Sequence, residues 1–365
     1  MVLKRILYRG FRNLSPEPLE PGPALNVFCG PNAQGKTNIL EAVYLLSTLG
    51  SFRTRRVRDL ITVGENEAEV EGIVSDGYGT ARLGVHLSKE GKKAFVDRKQ
   101  PFSAAGYLKV FPTVFFGPGD MEMAKGDQSL RRKYLDRASF SADPSYVEKM
   151  KNYRRALAQR NEALQSNQQD LEPWTTFLSQ AGWEICRQRS LSLGELKETV
   201  ARIHRDISGG TEEIEISYKP SWKMEEGAEG LRNILLESDA EDRKRGFTHH
   251  GPHRDKVKVK LGGREISEHG SQGQHRTLVL SMKLALLLWA KEKTGSSPAF
   301  LLDDPGSELD KKRLGYLGEF LTGWKGQVFV SSVGSDDIPV NAGSVKNVYN
   351  IESGRVAKTG TVSKN

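Results

Sequence analysis

The sequence predicts a mixed α/β fold interrupted by a mainly helical insertion. Three observations predict it. Residues Gly30 to Thr37 read Gly-Pro-Asn-Ala-Gln-Gly-Lys-Thr, a glycine-rich turn set between an apolar run and a helical repeat. Short alternating apolar runs occupy both ends of the chain and vanish between about Ser129 and Ile207. A further apolar run, Ala299 to Leu302, ends in two adjacent carboxylates, Asp303 and Asp304.

Taken in order, Val2–Tyr8 reads as a strand, and Ala24–Cys29 as a short buried one. Ile39, Leu40, Val43 and Leu46 recur at helical spacing after the glycine-rich turn. Glu69–Val74, Ala81–Leu87 and Ala94–Val96 alternate and are separated by turn residues such as Asp76-Gly77, which suggests antiparallel hairpins. Val110–Phe116 is a further strand, weakened by Pro112. Asp143-Pro144 and Glu172-Pro173 divide the strand-free block into about three helices. Trp174, Phe177, Leu178, Ala181, Ile185 and Leu191 suggest one buried stripe there, and no sustained heptad predicts a long coiled coil. Glu213–Tyr218 reads as a strand and Glu225–Gly230 as a loop. The expected division is residues 1–120 and 246–365 for the two α/β parts and 121–245 for the insertion.

Composition narrows the function classes. The chain has 365 residues, a formal net charge of +8 and 37 % hydrophobic residues, as expected for a globular protein of two or three domains. Two cysteines, Cys29 and Cys186, cannot form a disulfide framework, which points to a reducing compartment such as the cytoplasm. No secretory leader is expected, because Lys4, Arg5, Arg9 and Arg12 are followed by no continuous apolar segment. Leu278–Ala290 is apolar but short and carries Lys283, so it suits a buried helix rather than a membrane span. The basic total favours a polyanionic partner. Basic runs at Arg53–Arg58, Arg131-Arg132-Lys133, Lys149–Arg155 and Arg243–Arg245 are candidates, although a charge run commonly marks a solvated face. Nucleic acid would then be held through phosphates, since no helix-turn-helix or zinc-finger pattern occurs.

The glycine-rich turn matches G-x-x-x-x-G-K-[ST], whose backbone N–H groups surround a phosphate chain. Gly30, Pro31, Asn32, Ala33, Gln34 and Gly35 would supply the cradle. Lys36 would reach the β- and γ-phosphates, and Thr37 would ligate Mg²⁺. Asp303 would hold the same ion, and Asp304 would polarise the attacking water. Catalysis would rest on Asp304 and Lys36. Lys36 and Asp303 lie 267 positions apart, a wide split for one site. Between them Ser271-Gln272-Gly273-Gln274 opens the apolar helix, 32 residues before Asp303, as a second possible anion-binding turn. His249, His250 and His253 crowd one stretch but lack the cysteine pair of a zinc site, so a structural or nucleotide-proximal loop is expected.

Together these segments carry a specific resemblance. Gly30–Thr37, Phe11-Arg12-Asn13, Gly251-Pro252-His253-Arg254-Asp255, Ser271–Thr277 and Leu301–Asp310 resemble the RecF family of bacterial recombination mediators, relatives of the SMC and ABC ATPase heads. The likeness runs from the first strand to about Ser332. It implies an ABC-type head with a mixed sheet, an antiparallel β subdomain and an inserted helical lobe. It adds Arg12 and Asn38 to the nucleotide set and makes Ser271 to Gln274 a signature motif acting on the partner's ATP. It implies ATP and Mg²⁺ as ligands, an ATP-dependent homodimer clamping duplex DNA near single-strand gaps, a weak DNA-stimulated ATPase, and RecR, RecO and RecA as partners. A nucleoid-associated location within the cytoplasm is likewise expected from the resemblance. Arg131, Arg132, Lys133, Arg154 and Arg155 are the candidate DNA contacts.

The chain departs from the family in places. Gly117-Pro118-Gly119-Asp120 stands where related sequences read Ser-Pro-Glu-Asp, Lys256 replaces a second Asp, and Pro305-Gly306 follows the twin acids. Val328–Ser332 lacks the switch histidine of many ABC heads, so a hydroxyl is expected to substitute. A short carboxylate at Asp304 without that histidine implies slow hydrolysis, below roughly ten turnovers per second. The alternatives are an SMC-type tethering head, a transporter's nucleotide-binding subunit and a DNA-binding scaffold with an inactive ATP site. The short insertion, the basic surface and the intact Lys36, Asp303 and Asp304 speak against each in turn.

Overall fold

The computed structural model describes residues 1–210, 212–335, 337 and 346–362. Its strands in the first half are β1 (Val2–Arg9), β2 (Leu25–Cys29), β3 (Glu67–Ser75), β4 (Thr80–Ser88), β5 (Gly91–Val96) and β6 (Thr113–Phe116). The second half adds β7 (Ile214–Lys219), β8 (Lys256–Leu261), β9 (Arg264–Glu265), β10 (Ala299–Asp303), β11 (Val328–Ser332), β12 (Lys346–Glu352) and β13 (Arg355–Val362).

Two sheets build the first unit, residues 1–121 with 276 onward. One is antiparallel, in the order β1-β3-β4-β5. The other has the order β13-β12-β2-β11-β10-β6 and is parallel except for the β12–β13 pair. Its strands β2, β10 and β11 are buried along their whole length, as expected of parallel strands covered on both faces. The helix Lys36–Thr48 belongs to one apolar core with both sheets. Ile39, Leu40, Ala42, Val43, Leu45 and Leu46 are all buried, meeting Leu3, Ile6 and Val85 of one sheet and Leu301 and Phe329 of the other. Being buried on more than one side, this helix is held rigidly at its N-terminus, where the glycine-rich turn ends.

Residues 122–275 form the second compact unit. Its long helices are Gln128–Ala142, Tyr146–Gln165 and Glu172–Ser208, with Pro173 near the start of the last. The unit extends thirty residues past the expected boundary at 245, because β7 pairs with β8 along its length and β8 with β9. Ladder hydrogen bonds therefore tie the residues after 246 to the insertion.

Three local expectations need correction. Glu225–Gly230 is not a loop: a 3₁₀ turn, Met224–Glu226, runs into the helix Gly227–Glu237, whose Leu231 and Leu235 enter the core of the unit. Two glycines hid this short amphipathic helix. Phe177 and Leu191 are exposed, while Leu178 and Ile185 are buried, so the stripe is narrower than its apolar residues suggest. Strand β6 begins only at Thr113, because Pro112 has no N–H to give; its carbonyl instead accepts from Ala299 N at 2.9 Å.

The second unit also buries an ion pair. Arg160 Nη1 lies 2.6 Å from Asp242, and both side chains are fully buried. The guanidinium donates further to Thr248 Oγ1 at 2.8 Å and to the Leu235 carbonyl at 3.2 Å. Removing one partner strands a buried charge. Arg160→Leu is expected to cost about 3–5 kcal/mol of stability, read from chemical unfolding, with partial recovery in Arg160→Leu/Asp242→Asn. An unchanged unfolding midpoint would show that the pair contributes nothing.

Candidate nucleotide site

The parallel sheet places the site at the carboxyl ends of its strands, where α/β folds bind ligands. β11 lies between β2 and β10, with Ser332 opposite Cys29 and Ser331 opposite Asp303. The loop leaving β2 therefore sits on one side of the Ser331–Ser332 pair and the twin acids on the other.

The loop conforms to a phosphate cradle. Gly35 adopts φ 108° at the helix N-cap, and a Cβ there would come within 3.0 Å of Asn13 Oδ1. Gly30 adopts φ 142°, and a Cβ there would come within 2.5 Å of the Ile351 carbonyl. Side chains are excluded at both ends of the loop, which leaves its backbone free to face a ligand. Lys36 is buried, and its Nζ donates to the carbonyls of Gly30 at 2.6 Å and Pro31 at 2.8 Å. The turn between β12 and β13 pins the loop from outside: Gly354 N donates to Gln34 O at 2.9 Å, and Ser353 N donates to Gln34 Oε1 at 2.7 Å.

The two halves of the sequence meet at one carboxylate. Thr37 Oγ1 donates to Asp303 Oδ1 at 2.7 Å. Ser331 Oγ donates to the same oxygen at 2.6 Å and accepts from Asp304 N at 3.0 Å. Asp304 is in the left-handed region, with φ 47° and ψ 54°. A non-glycine residue held there costs about 1–3 kcal/mol and is often found at functional sites. Pro305 follows as the first residue of a single helical turn, Pro305–Glu308. Asp310 then caps the helix Lys311–Gly323, accepting from Arg313 N at 3.0 Å. The departure at Pro305-Gly306 thus leads into an ordered turn.

Thr37 and Asp303 bring two hard oxygen donors together, a set that fits Mg²⁺ with further positions filled by phosphate and water. When bound, the ion would neutralise charge on the triphosphate.

Arg12 and Asn38 extend the site. Arg12 grips Glu41 through two bonds, at 2.8 and 2.9 Å. Glu41 is fully buried and also accepts from Ser51 Oγ at 2.5 Å. Asn38 Nδ2 donates to Asn13 Oδ1 at 2.7 Å, and Asn38 Oδ1 accepts from Arg53 Nη1 at 2.7 Å.

The comparisons with known proteins agree with this geometry. The family described as RecF/RecN/SMC N terminal domain matches residues 2–356. The chain belongs to the RecF family. It is 37 % identical over 363 residues to the DNA replication and repair protein RecF of Geotalea daltonii, covering 98 % of this chain and 100 % of the relative. RecF of Geobacter sulfurreducens is 38 % identical, covering 91 % of this chain and 93 % of the relative. A solved structure of the recombination mediator protein RecF with ATP, in the RecFOR pathway, matches with a TM-score of 0.88 and 32 % identity over 98 % of both chains. The Smc head of Pyrococcus furiosus shares the fold, with a TM-score of 0.57, at 15 % identity, covering 99 % of this chain and 96 % of that one. The ATPase-head architecture expected from the RecF resemblance is therefore present.

The RecF-like residues of the second unit have separate roles. Ser271 caps the helix Gln272–Thr294: its Oγ accepts from Gln274 N at 3.2 Å, and Gln274 Oε1 accepts from Ser271 N at 2.7 Å. This reciprocal pair is a capping box, with Gln274 also bonded to Glu212. Ser271 and Gln272 remain exposed, and Gly273 is half-buried. Gly251–Asp255 is structural. Pro252 O accepts from Arg189 at 2.8 Å, and buried Asp255 accepts from Ser221 N at 2.9 Å and is bonded by Tyr218. His253 meets Tyr153 OH at 2.5 Å, and burial pushes its pKa down to about 4. His249 meets Asp242 at 2.6 Å, and no cluster of metal ligands occurs among the described residues.

The proposed DNA contacts need one correction. Arg131 is buried and bonds the carbonyls of Met123, Val257 and Ala124, so it cannot meet DNA. Arg132 is half-buried and bonds the Asp255 carbonyl at 2.7 Å. Lys133, Arg154 and Arg155 are exposed. A basic run gives no sign of which member turns inward to tie carbonyls together.

Sequence reasoning missed Glu41 and the Gln34 clasp, and it expected a hydroxyl within Val328–Ser332 without tying Ser331 to Asp303. The first carried a signal, a carboxylate two residues from Ile39 and Val43 in an apolar helix; the others depend on strand order. Glu41→Ala is expected to cost about 2–3 kcal/mol, since it leaves the Arg12 guanidinium without its charged acceptor. Thermal unfolding of the variant checks this, and a melting point equal to that of the parent would contradict it.

Proposed function

We propose that the protein is an ATP-driven DNA-binding switch of recombinational repair and replication. The Thr37–Asp303 contact carries the reading, because it assembles the magnesium end of a triphosphate site from opposite ends of the chain. ATP and Mg²⁺ are its ligands; the ATP-bound RecF relative supports the first, and the paired oxygens of Thr37 and Asp303 support the second. Lys36 leaves the Gly30 and Pro31 carbonyls for the β- and γ-phosphates, and Asp304 orients the attacking water. Ser331, between the acids, is the hydroxyl that stands in place of a switch histidine.

Arg12 and Asn38 complete the nucleotide contacts, and Ser271 to Gln274 acts on the ATP of a second copy. The exposed cap of the Gln272–Thr294 helix suits this role, because the positive end of the helix dipole favours an anion there. The γ-phosphate would then serve two half-sites, so ATP closes the dimer and slow hydrolysis reopens it. The closed dimer holds duplex DNA beside single-strand gaps and helps load the recombinase. RecO and RecR are its partners in this reading, in keeping with the RecFOR pathway named for the solved relative, with RecA as the loaded recombinase. Among the described residues no helix is long and apolar enough to cross a membrane.

Duplex DNA affinity measured at moderate salt with and without ATP tests the proposal. ATP should tighten binding at least tenfold, and Lys36→Met should erase that gain. Equal affinity with and without ATP in the parent protein would overturn the reading.

A further inference from the structure

The outward face of the antiparallel sheet carries a basic cavity that the nucleotide site does not use. The inward face is apolar, with Leu3, Ile6, Val70 and Val85 in the core. On the outward face Arg5 stands opposite Ile73 of β3, and Ile73 opposite Arg82 of β4, in one row across three strands. Arg5, Arg9, Arg82 and Arg98 line a cavity of about 380 Å³, where among the described residues Glu71 is the one carboxylate of the lining.

The charges are arranged unevenly. At one end of the face they are paired, Arg9 with Glu69 at 2.7 Å and His86 with Glu67 at 3.2 Å. Among the described residues, Arg5, Arg82 and Arg98 form no ion pair. Asp97, next to Arg98 in sequence, is engaged by backbone instead, its Oδ1 accepting from Arg82 N at 2.9 Å. Arg98 occupies a tight turn in which Val96 and Lys99 exchange both backbone bonds, with φ 50° at Asp97 and 64° at Arg98. Asparagine or glycine is the favoured occupant of such a turn. Here an exposed arginine is held at the edge of the cavity.

We propose that this face holds the sugar–phosphate backbone of DNA, with Arg5, Arg82 and Arg98 as its phosphate contacts. Unpaired guanidiniums are the donors best matched to phosphate oxygens. Arg5 and Arg82 start about 10 Å apart, two strand spacings. At about 3.4 Å of duplex axis per phosphate of one strand, about 10 Å laid along the axis takes in about three phosphates. The assignment rests on the DNA-binding reading above and adds a surface lying wholly within the ATPase unit.

The test uses the full chain with ATP and a short labelled duplex, titrated over a range of salt. Arg5→Ala/Arg82→Ala/Arg98→Ala should weaken binding tenfold or more. It should flatten the log K against log salt slope by about 2 to 3, at about 0.9 per lost phosphate contact. The corresponding triple lysine variant should keep most of the slope, and ATP binding should not change in either. Arg98→Glu, altering one exposed turn residue, should weaken binding in the same direction if the triple variant folds poorly. Parent-like affinity and slope in both the alanine triple and Arg98→Glu would overturn this site while leaving the proposed function standing, with an acidic protein as the face's remaining partner. Failure of the parent protein to bind DNA would sink both.

Discussion

A threonine hydroxyl and an aspartate carboxylate, 266 positions apart, meet at 2.7 Å, and the organisation of the chain follows from that contact. It requires β2 and β10 to end at the same edge of one sheet. It requires β11 to run between them and offer Ser331 to both acids. It also requires the helix Lys36–Thr48 to start at a fixed point, which its burial against two sheets secures. The inserted unit can be large because it enters and leaves the first unit through chain segments that do not interrupt those strands.

The glycine-rich loop is shaped by exclusion as much as by attraction. Neighbouring backbone and side-chain atoms forbid a Cβ at Gly30 and Gly35, and the β12–β13 turn holds Gln34 from outside. Lys36 is turned onto the loop's own carbonyls, so its ammonium is satisfied while it stays close to the mouth of the cradle. Asp303 is held by two hydroxyls and Asp304 by its backbone, which leaves the Asp304 carboxylate outside the hydrogen-bond network of the described residues. One acid is thereby suited to holding an ion and the other to meeting water.

Much of this was legible in the sequence where chemistry is local. The Gly-Lys-Thr loop and the twin acids each combine residue types whose joint purpose is narrow, whereas the Ser-Gly-Gln helix start is a weak signal alone and is here a capping box. The antiparallel hairpins were legible because one face alternates against the core. What failed depended on tertiary context. Arg131 lies in a basic run like Arg154 and Arg155, yet it turns inward to bind three carbonyls. Glu225–Gly230 carries two glycines and still leads into a helix, because Leu231 and Leu235 are buried. The second boundary moved because β7 finds its ladder partner beyond residue 246. The row of Arg5 and Arg82 could not be seen in sequence at all, since register between strands brings it together.

In the proposed switch the loop around Lys36 is half of a site whose other half is the exposed cap at Ser271 of a second copy. Light scattering of the protein in solution with ATP, with ADP and without nucleotide tests it most directly. A species near the 40.6 kDa of one chain is expected in ADP and without nucleotide, and twice that mass with ATP. The same mass under all three conditions would contradict it.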